Sequence, residues 1–480
     1  MDAMRTRLML RIAGEIGLKS ARTRRRFLRY LVRNVKAALG RAGVAGDVEN
    51  RWSRLFVDTD QPERAREALS RVIGLHSVAE VAVFPASSLD ELVVRATDLF
   101  RDRVAGKTFA VRARRRGELA YTSRDVAVQL GATLLPHSAG VNLDHPDVEV
   151  TMEIRDGAAH AVLETMPGPG GLPIGSGGRA VALFSGGFDS PVAAWMAMWR
   201  GTTIELVVCD IGGCAQTDAA LEVARELATT WTPGIEPRVH VVDLVPVIAA
   251  LREHVDPRIR QVLLKRAMYR AATLIARETR GEAIVTGESL GQVSTQTLRN
   301  LAVAEEAAGV PVLRPLIGMD KEEIIARAKR IGTHDASVRV REYCAIASGR
   351  VETAARLREV LTAEGQVDES FIAAAVWNRR LVDLLTWQPE HLPHVVEDVP
   401  ENAVIVDVRE PDEGATVGHV RKPFSDLDRW IDELDRDATY LFVCTVGARS
   451  EVAAGEARAR GYDAFSLAGG MTRLPSGRAA

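Results

Sequence analysis

Ser185-Gly186-Gly187-Phe188-Asp189-Ser190 is the stretch on which the reading of this chain turns. The apolar run Ala180-Val181-Ala182-Leu183-Phe184 leads into it and reads as a buried strand. Pro191-Val192-Ala193-Ala194-Trp195-Met196-Ala197-Met198 leaves it and reads as a helix, with Pro191 well placed in the first turn. A strand, a Gly-Gly turn with flanking hydroxyls and a helix N-terminus together form a cradle for an anion. Glycine removes side chains so that backbone N–H groups reach an oxyanion, and the helix start adds partial positive charge. No Gly-Lys-Ser/Thr follows, so the spacing is not that of a Walker loop. Taken alone, the hexapeptide also fits a tight strand-to-helix turn that holds no ligand.

Working outward, the elbow opens an alternating series between residues 179 and about 350. Strands are expected at Val181–Phe184, Thr203–Cys209, Arg238–Val242, Ala283–Thr286 and Val312–Leu316, with helices such as Ala219–Trp231 and Ile259–Thr279 between them. Short apolar strands alternating with helices predict a doubly wound parallel sheet buried on both faces. Such sheets bind ligands at the carboxyl ends of their strands, where the elbow lies. The polar, Gly-rich segment from Val285 to Thr297, with Gly287 and Gln296, leaves another strand end and is expected beside the elbow. Lys265 in the long helix and Lys321 at the start of Glu322–Ile331 are candidate cations for a bound phosphate, although a single lysine is more often a surface residue.

With 480 residues the chain is too long for one core and calls for about three or four domains. A hydrophobic content of 46% and a charged content of 26% describe a globular protein of ordinary surface. The net charge of −2 means that any nucleic-acid contact must come from local patches. No apolar run reaches the roughly 18 residues that a membrane span needs. The stretch Met1–Ile12 is broken by Asp2, Arg5, Arg7 and Arg11 and suits a strand better than a signal peptide, so the expected location is the cytoplasm. Four cysteines are too few for a disulfide framework and point to catalytic or metal-binding use.

The front of the chain reads as two α/β units, residues 1–60 and 61–165, followed by a Pro/Gly-rich linker over 166–178. In the first unit, Arg22, Arg24, Arg25, Arg26, Arg29, Arg33 and Lys36 decorate one helix without an acidic residue among them. In the second, Arg112, Arg114 and Arg116 alternate outward along a strand while Phe109, Val111 and Ala113 alternate inward. Both cationic surfaces suit a phosphate backbone, and both are equally readable as solvated faces. Residues 179–393 hold the central sheet and a mostly helical connector beginning near Val351. Residues 402–480 form a further small α/β domain, with strands at Val404–Arg409 and Tyr440–Cys444.

In that last domain Cys444-Thr445-Val446-Gly447-Ala448-Arg449 joins an apolar strand to the helix Ser450–Arg460. A thiolate at a helix N-terminus, ringed by backbone N–H groups and an arginine, is stabilised as an anion and exposed as a nucleophile. Cys344, after Glu342-Tyr343, would on its own be an ordinary core or surface thiol. Cys209 and Cys214 show neither C-x-x-C spacing nor nearby histidines, and no metal site is assigned.

The elbow resembles the pyrophosphate loop of ATP pyrophosphatases. Together with Gly287–Thr297, Arg314-Pro315-Leu316, Asp320-Lys321-Glu322 and Glu342-Tyr343-Cys344, it resembles the tRNA 4-thiouridine synthetase (tRNA sulfurtransferase) family over essentially the whole chain. The front end resembles a ferredoxin-like domain followed by a THUMP RNA-binding domain. The tail, through the Cys444 loop, Asp407-Val408-Arg409-Glu410 and Gly418-His419-Val420, resembles a rhodanese domain. The resemblance implies ATP contacts at Leu183, Phe184, Ser185, Gly186, Gly187, Ser190, Lys265, Gly287 and Gln296, with Asp189 and Lys321 near the activated phosphate and Mg2+ offsetting phosphate charge. It further implies tRNA as substrate, contacted in part through Arg24, Arg25, Arg112, Arg114 and Arg116. A persulfide on Cys444, within the loop that includes Gly447 and Arg449, would be loaded by a cysteine desulfurase and resolved by a Cys344–Cys444 disulfide. A sulfur-relay role toward a carrier protein of thiamine-thiazole synthesis is a second reading, and a tRNA-binding scaffold with a vestigial nucleotide site a third. The sequence leaves the oligomeric state open, a homodimer included.

Overall fold

The alternation of Leu8, Leu10 and Ile12 becomes β1 (Thr6–Ile12), the first strand of an eight-stranded sheet. The computed structural model describes residues 6–51, 54–211, 214–340, 351–368, 370–388, 394–445 and 447–473. They divide into two compact units, residues 1–177 with 199–201, and residues 178–198 with 202–480.

In the first unit, β2 (Asp47–Arg51), β3 (Arg54–Thr59), β4 (Leu75–Pro85), β5 (Thr108–Arg116), β6 (Gly140–Val141), β7 (Val148–Arg155) and β8 (Ala158–Pro167) join β1 in the order β2-β3-β1-β4-β8-β7-β5-β6. The helix Ala21–Arg41 buries Phe27, Leu28, Leu31 and Val35 against Leu8 and Leu10, and its Ser20 cap accepts from the Thr23 amide. The helix Pro62–Leu69 and the start of β4 complete that same core with Ala65, Leu69, Leu75 and Val78. The expected division at residue 60 therefore falls inside one packed layer, because the apolar face of the helix Ala21–Arg41 is covered only once those later residues fold back. A second core gathers Phe100, Phe109, Leu130, Val150 and Met152. The linker expected from residue 166 starts two residues later, because Met166 and Pro167 still pair with Val78 and Ser77.

In the second unit, β9 (Arg179–Leu183), β10 (Thr203–Asp210), β11 (Arg238–Asp243), β12 (Ile284–Val285), β13 (Val312–Leu313) and β14 (Arg380–Asp383) form a sheet ordered β13-β12-β9-β10-β11-β14. Every pairing among the first five is parallel, as the alternating pattern requires. The connector expected to be helical also supplies β14, which runs antiparallel on β11. Four residues flanked by helices leave too short a period-two signal to read. β9 is central, and the chain passes to one side of it for β10 and β11 and returns to the other for β12 and β13. The carboxyl end of β9 is thus the switch point, where connections leave to opposite faces and a crevice opens.

The same unit ends in a five-stranded parallel sheet, ordered β15-β19-β18-β16-β17, of β15 (Val395–Val396), β16 (Val404–Asp407), β17 (Val420–Arg421), β18 (Thr439–Val443) and β19 (Asp463–Leu467). No helix among the described residues is long and apolar enough to cross a membrane.

Buried charges tie these layers together. Arg266, fully buried on the helix Arg260–Thr279, donates to Glu364 at 3.0 and 2.8 Å, to Glu306 at 2.8 Å and to the Val303 carbonyl at 2.5 Å. Truncating one partner of a buried pair leaves the other uncompensated. Arg266→Ala should therefore lower the stability of the central sheet by about 3 kcal/mol, read from hydrogen exchange of its strands in a urea series. Asp407, at the end of β16, accepts from Arg409 at 2.7 and 2.9 Å, from Arg421 at 2.9 Å and from the Val417 amide at 3.0 Å. Burial opposes its ionisation, but these donors outweigh burial and bring its pKa from 3.8 to about 2. A depressed carboxylate stabilises the fold above its unfolded pKa and loses that contribution as protons bind. Acid should weaken the wild-type C-terminal sheet progressively between pH 3.8 and about 2, and Asp407→Asn should lower its stability near neutral pH while flattening that limb in a pH series of thermal unfolding.

Candidate active site

The elbow between β9 and the helix Asp189–Trp199 is shaped by two glycines. Gly186 has φ +80°, and a Cβ there would lie 2.7 Å from the Ala220 Cα. Gly287, just beyond β12, lies so close to the helix start that a Cβ would stand 2.7 Å from the Asp189 carbonyl carbon and 2.8 Å from the Ser190 nitrogen. Neither position admits a side chain, and the two strand ends approach through backbone alone. Ser190 Oγ closes the turn by accepting from the Ser185 amide at 3.0 Å. Gly187 has no comparable constraint, its added Cβ meeting nothing closer than 3.7 Å.

A cavity of about 310 Å³ opens at this junction. Leu183, Phe184, Ser185, Asp189, Ser190, Lys265, Gly287 and Gln296 all line it, so most of the expected contacts converge. Gly186, Gly187 and Lys321 do not line it. Lys321 reaches it indirectly: its Nζ lies 2.8 Å from one Asp189 carboxylate oxygen, while Gln292 Nε2 donates to the other at 2.8 Å. Lys321 opens the helix Lys321–Ile331 behind an Asp320/Glu323 capping box and sits 5.5 Å from the Phe188 ring centroid. Between them, Lys321 and Gln292 hold Asp189 in one orientation at the cavity wall.

Lys265 is fixed from below. Its Nζ lies 3.3 Å from Glu288 Oε1. Glu288 is 2% exposed, and its other oxygen accepts from Tyr269 at 2.6 Å, Arg314 at 2.8 Å and Thr286 at 2.9 Å. Burial disfavours the Glu288 carboxylate, but Lys265, the Tyr269 hydroxyl and Arg314 prevail and bring its pKa to about 2. That buried anion beneath Lys265 attracts its ammonium and holds it at the cavity wall. Glu288 and Gln292 were not singled out from sequence, although both lie in the Gly-rich segment that was. Their partners Lys265, Tyr269, Arg314 and Asp189 are too distant along the chain to foresee. Cys209 also lines the cavity, where burial pushes its thiol up to about 12 and keeps it neutral.

Cys444 follows β18, 1% exposed. Gly447, at φ +94°, caps the helix Ala448–Ala459 and donates its amide to Cys444 Sγ at 3.1 Å. Ser450 Oγ lies 3.6 Å from the same sulfur and accepts from Ser466 at 2.9 Å. The expected strand–thiol–helix arrangement is present, but the hydrogen bonds of Arg449 go to Glu413, at 2.5 and 2.6 Å, while its charge still interacts with that of Cys444. The helix Ala448–Ala459 packs on the helix Cys214–Trp231, whose first turns carry Gln216 and Thr217 into the cavity wall. Cys344, with Glu342 and Tyr343, lies outside the described residues.

The cations expected to meet RNA lie in the first unit, and all but Arg112 are exposed. Arg24 and Arg25 lie on the outer face of the helix Ala21–Arg41. β6 covers only Thr108 and Phe109, so the rest of β5, with Arg112, Arg114 and Arg116, forms a sheet edge. Arg114 and Arg116 are exposed there, whereas Arg112 is half-buried and donates to the Leu143 carbonyl.

Comparison with known proteins agrees with this layout. Residues 7–79 match the ThiI ferredoxin-like domain, residues 86–160 the THUMP domain and residues 175–368 the family described as thiamine biosynthesis protein (ThiI). A tRNA sulfurtransferase of Desulfurococcus amylolyticus is 38% identical over 478 residues, covering 98% of each chain. One from Pyrobaculum aerophilum is 39% identical over 463 residues, covering 95% of each. The crystal structure of a 4-thiouridine synthetase–RNA complex with bound ATP superposes with a TM-score of 0.71 at 28% identity, over 79% of this chain and 99% of that one. On these grounds the chain belongs to the tRNA sulfurtransferase family.

Proposed function

We propose that the protein is an ATP-dependent tRNA uracil 4-sulfurtransferase that adenylates a tRNA uridine, position 8 in the family, and replaces its O4 with sulfur. The observation that carries this reading is the pairing, within one chain, of a glycine elbow at a sheet switch point with a thiol buried at a second strand-to-helix junction. Backbone N–H groups of Ser185–Ser190 and the Lys265 ammonium would hold the triphosphate, and the apolar wall of Leu183, Phe184 and Val208 would hold the base. Asp189, a hard oxygen donor on the wall, fits Mg2+ held together with phosphate oxygens, where the ion offsets their charge. A 4-thiouridine synthetase of similar fold was solved with RNA and bound ATP, the two substrate classes of this reading.

In the first half-reaction the uracil O4 attacks the α-phosphate and pyrophosphate leaves. Lys265 faces the charge that develops on the phosphates, and the neutral Cys209 thiol adds none. In the second half, the outer sulfur of a Cys444 persulfide attacks C4 and AMP leaves. That attack leaves the C4-bound sulfur joined to Cys444 Sγ; the Cys344 thiolate then attacks Cys444 Sγ, the 4-thiouridine sulfur leaves as a thiolate, and the resulting Cys344–Cys444 disulfide is reopened by a reductant. The tail that carries Cys444 would be a rhodanese-like domain, and its sulfur would come from a cysteine desulfurase. Arg24, Arg25, Arg114 and Arg116 would meet the tRNA backbone, with Arg112 supporting the Leu143 turn as well. The family description as a thiamine biosynthesis protein favours a second use of the same persulfide, handing sulfur to a carrier protein of thiazole synthesis.

Two substitutions separate the halves. Cys444→Ala should abolish 4-thiouridine while ATP binding persists, measured by nucleoside mass spectrometry and nucleotide titration. Undiminished thiouridine would contradict the relay. Asp189→Ala should block AMP formation yet leave persulfide loading of Cys444 intact, as a thiol-labelling assay would show.

A further inference from the structure

Among the described side chains, three guanidiniums of this domain, those of Arg449, Arg409 and Arg421, are committed to carboxylates. Arg449 forks onto both oxygens of Glu413. Arg409, near enough to Arg449 for the two charges to repel, is spent on Asp407 and on the Glu413 and Ala415 carbonyls. Arg421 also turns to Asp407. Glu413 is held in place in turn, since one of its oxygens accepts from the Glu410 amide at 2.8 Å. Glu410 itself is pinned by the Ser425 amide and hydroxyl at 3.0 and 2.9 Å. The Glu413 side chain is 33% exposed and that of Arg449 is 25% exposed, so the pair faces solvent while Cys444 lies 1% exposed behind its loop.

A strand-to-helix loop with amides aimed at one point and an arginine beside it is ordinarily a receptor for a tetrahedral dianion. Here the fork that would take two oxygens of such an ion is already filled by a carboxylate, and that carboxylate repels a second anion at the same place. We propose that Glu413 is a specificity-determining residue, occupying Arg449 so that small dianionic sulfur donors of the thiosulfate type are disfavoured at Cys444 and sulfur is taken instead from a protein-bound persulfide. The inference rests on the reading of Cys444 as a persulfide carrier. With thiosulfate, the Cys444 thiolate would attack the outer sulfur, break the S–S bond and expel sulfite, so the dianion must seat against the loop. With a protein persulfide, the same thiolate attacks the terminal sulfur and the donor's cysteine leaves as a thiolate. The donor's persulfide carries at most one negative charge, arrives on a macromolecular surface and needs no free guanidinium.

The test uses the full-length reduced protein and intact-mass or peptide mass spectrometry of Cys444. One arm supplies sodium thiosulfate, and the other supplies a cysteine desulfurase with cysteine. The quantity read is the ratio of the two initial rates of sulfur addition. Glu413→Gln keeps an acceptor for the Glu410 amide but removes the charge, and should raise the thiosulfate-to-desulfurase ratio about tenfold. Glu413→Asp, which keeps the charge, should hold the ratio near the wild-type value. A ratio that is the same in wild type and Glu413→Gln overturns the proposal for Glu413. Wild-type protein that gains no sulfur on Cys444 from the desulfurase overturns the persulfide reading beneath it.

Discussion

The close approach of Gly287 to the first turn of the helix Asp189–Trp199 is the constraint on which the rest depends. A methyl group at Gly287 would lie within 3 Å of the Asp189 and Ser190 backbone. Because it has none, the loops after β9 and β12 meet, and Ser185, Asp189, Lys265 and Gln296 surround one cavity. The sheet order makes the meeting possible, since β9 and β12 are hydrogen-bonded neighbours although about a hundred residues apart. Doubly wound topology supplies the crevice, and glycine at the contact keeps it narrow.

Charge then organises what geometry brings together. Glu288 is a buried anion with four donors around it, and its function in the cavity is to hold Lys265 and Arg314 rather than to titrate. Asp189 is gripped from two sides by Lys321 and Gln292. Asp407 does for the C-terminal sheet what Glu288 does for the central one, gathering two arginines and two backbone amides at a strand end. Buried carboxylates of this kind cost desolvation energy and are sustained only by several strong donors each. They fix the orientation of charged groups near reacting atoms before any substrate arrives.

The elbow, the parallel sheet and the Cys444 loop were readable because each is encoded within about ten consecutive residues, where strand period, glycine and helix start follow one another. What escaped the reading depends on long-range contacts. β14 is four residues long and becomes a strand only by meeting β11. The helix Pro62–Leu69 lies beyond the expected division at residue 60, yet its apolar residues complete the first core. Gln292 pairs with Asp189 across a hundred residues. Arg449 was expected at the sulfur, but Glu413, thirty-six residues earlier, takes it. No local pattern announces such pairs, because the partners share neither a helix turn nor a strand register.

The central claim is that nucleotide chemistry at the elbow drives replacement of an oxygen by a thiol-borne sulfur. It is tested most directly by incubating the full-length protein with ATP, tRNA, a cysteine desulfurase and cysteine, and measuring AMP and 4-thiouridine in the same sample. The account predicts that both appear together, in equal amounts, and that AMP release requires tRNA. Thiouridine formed without AMP, or AMP never released in the presence of tRNA, would contradict it.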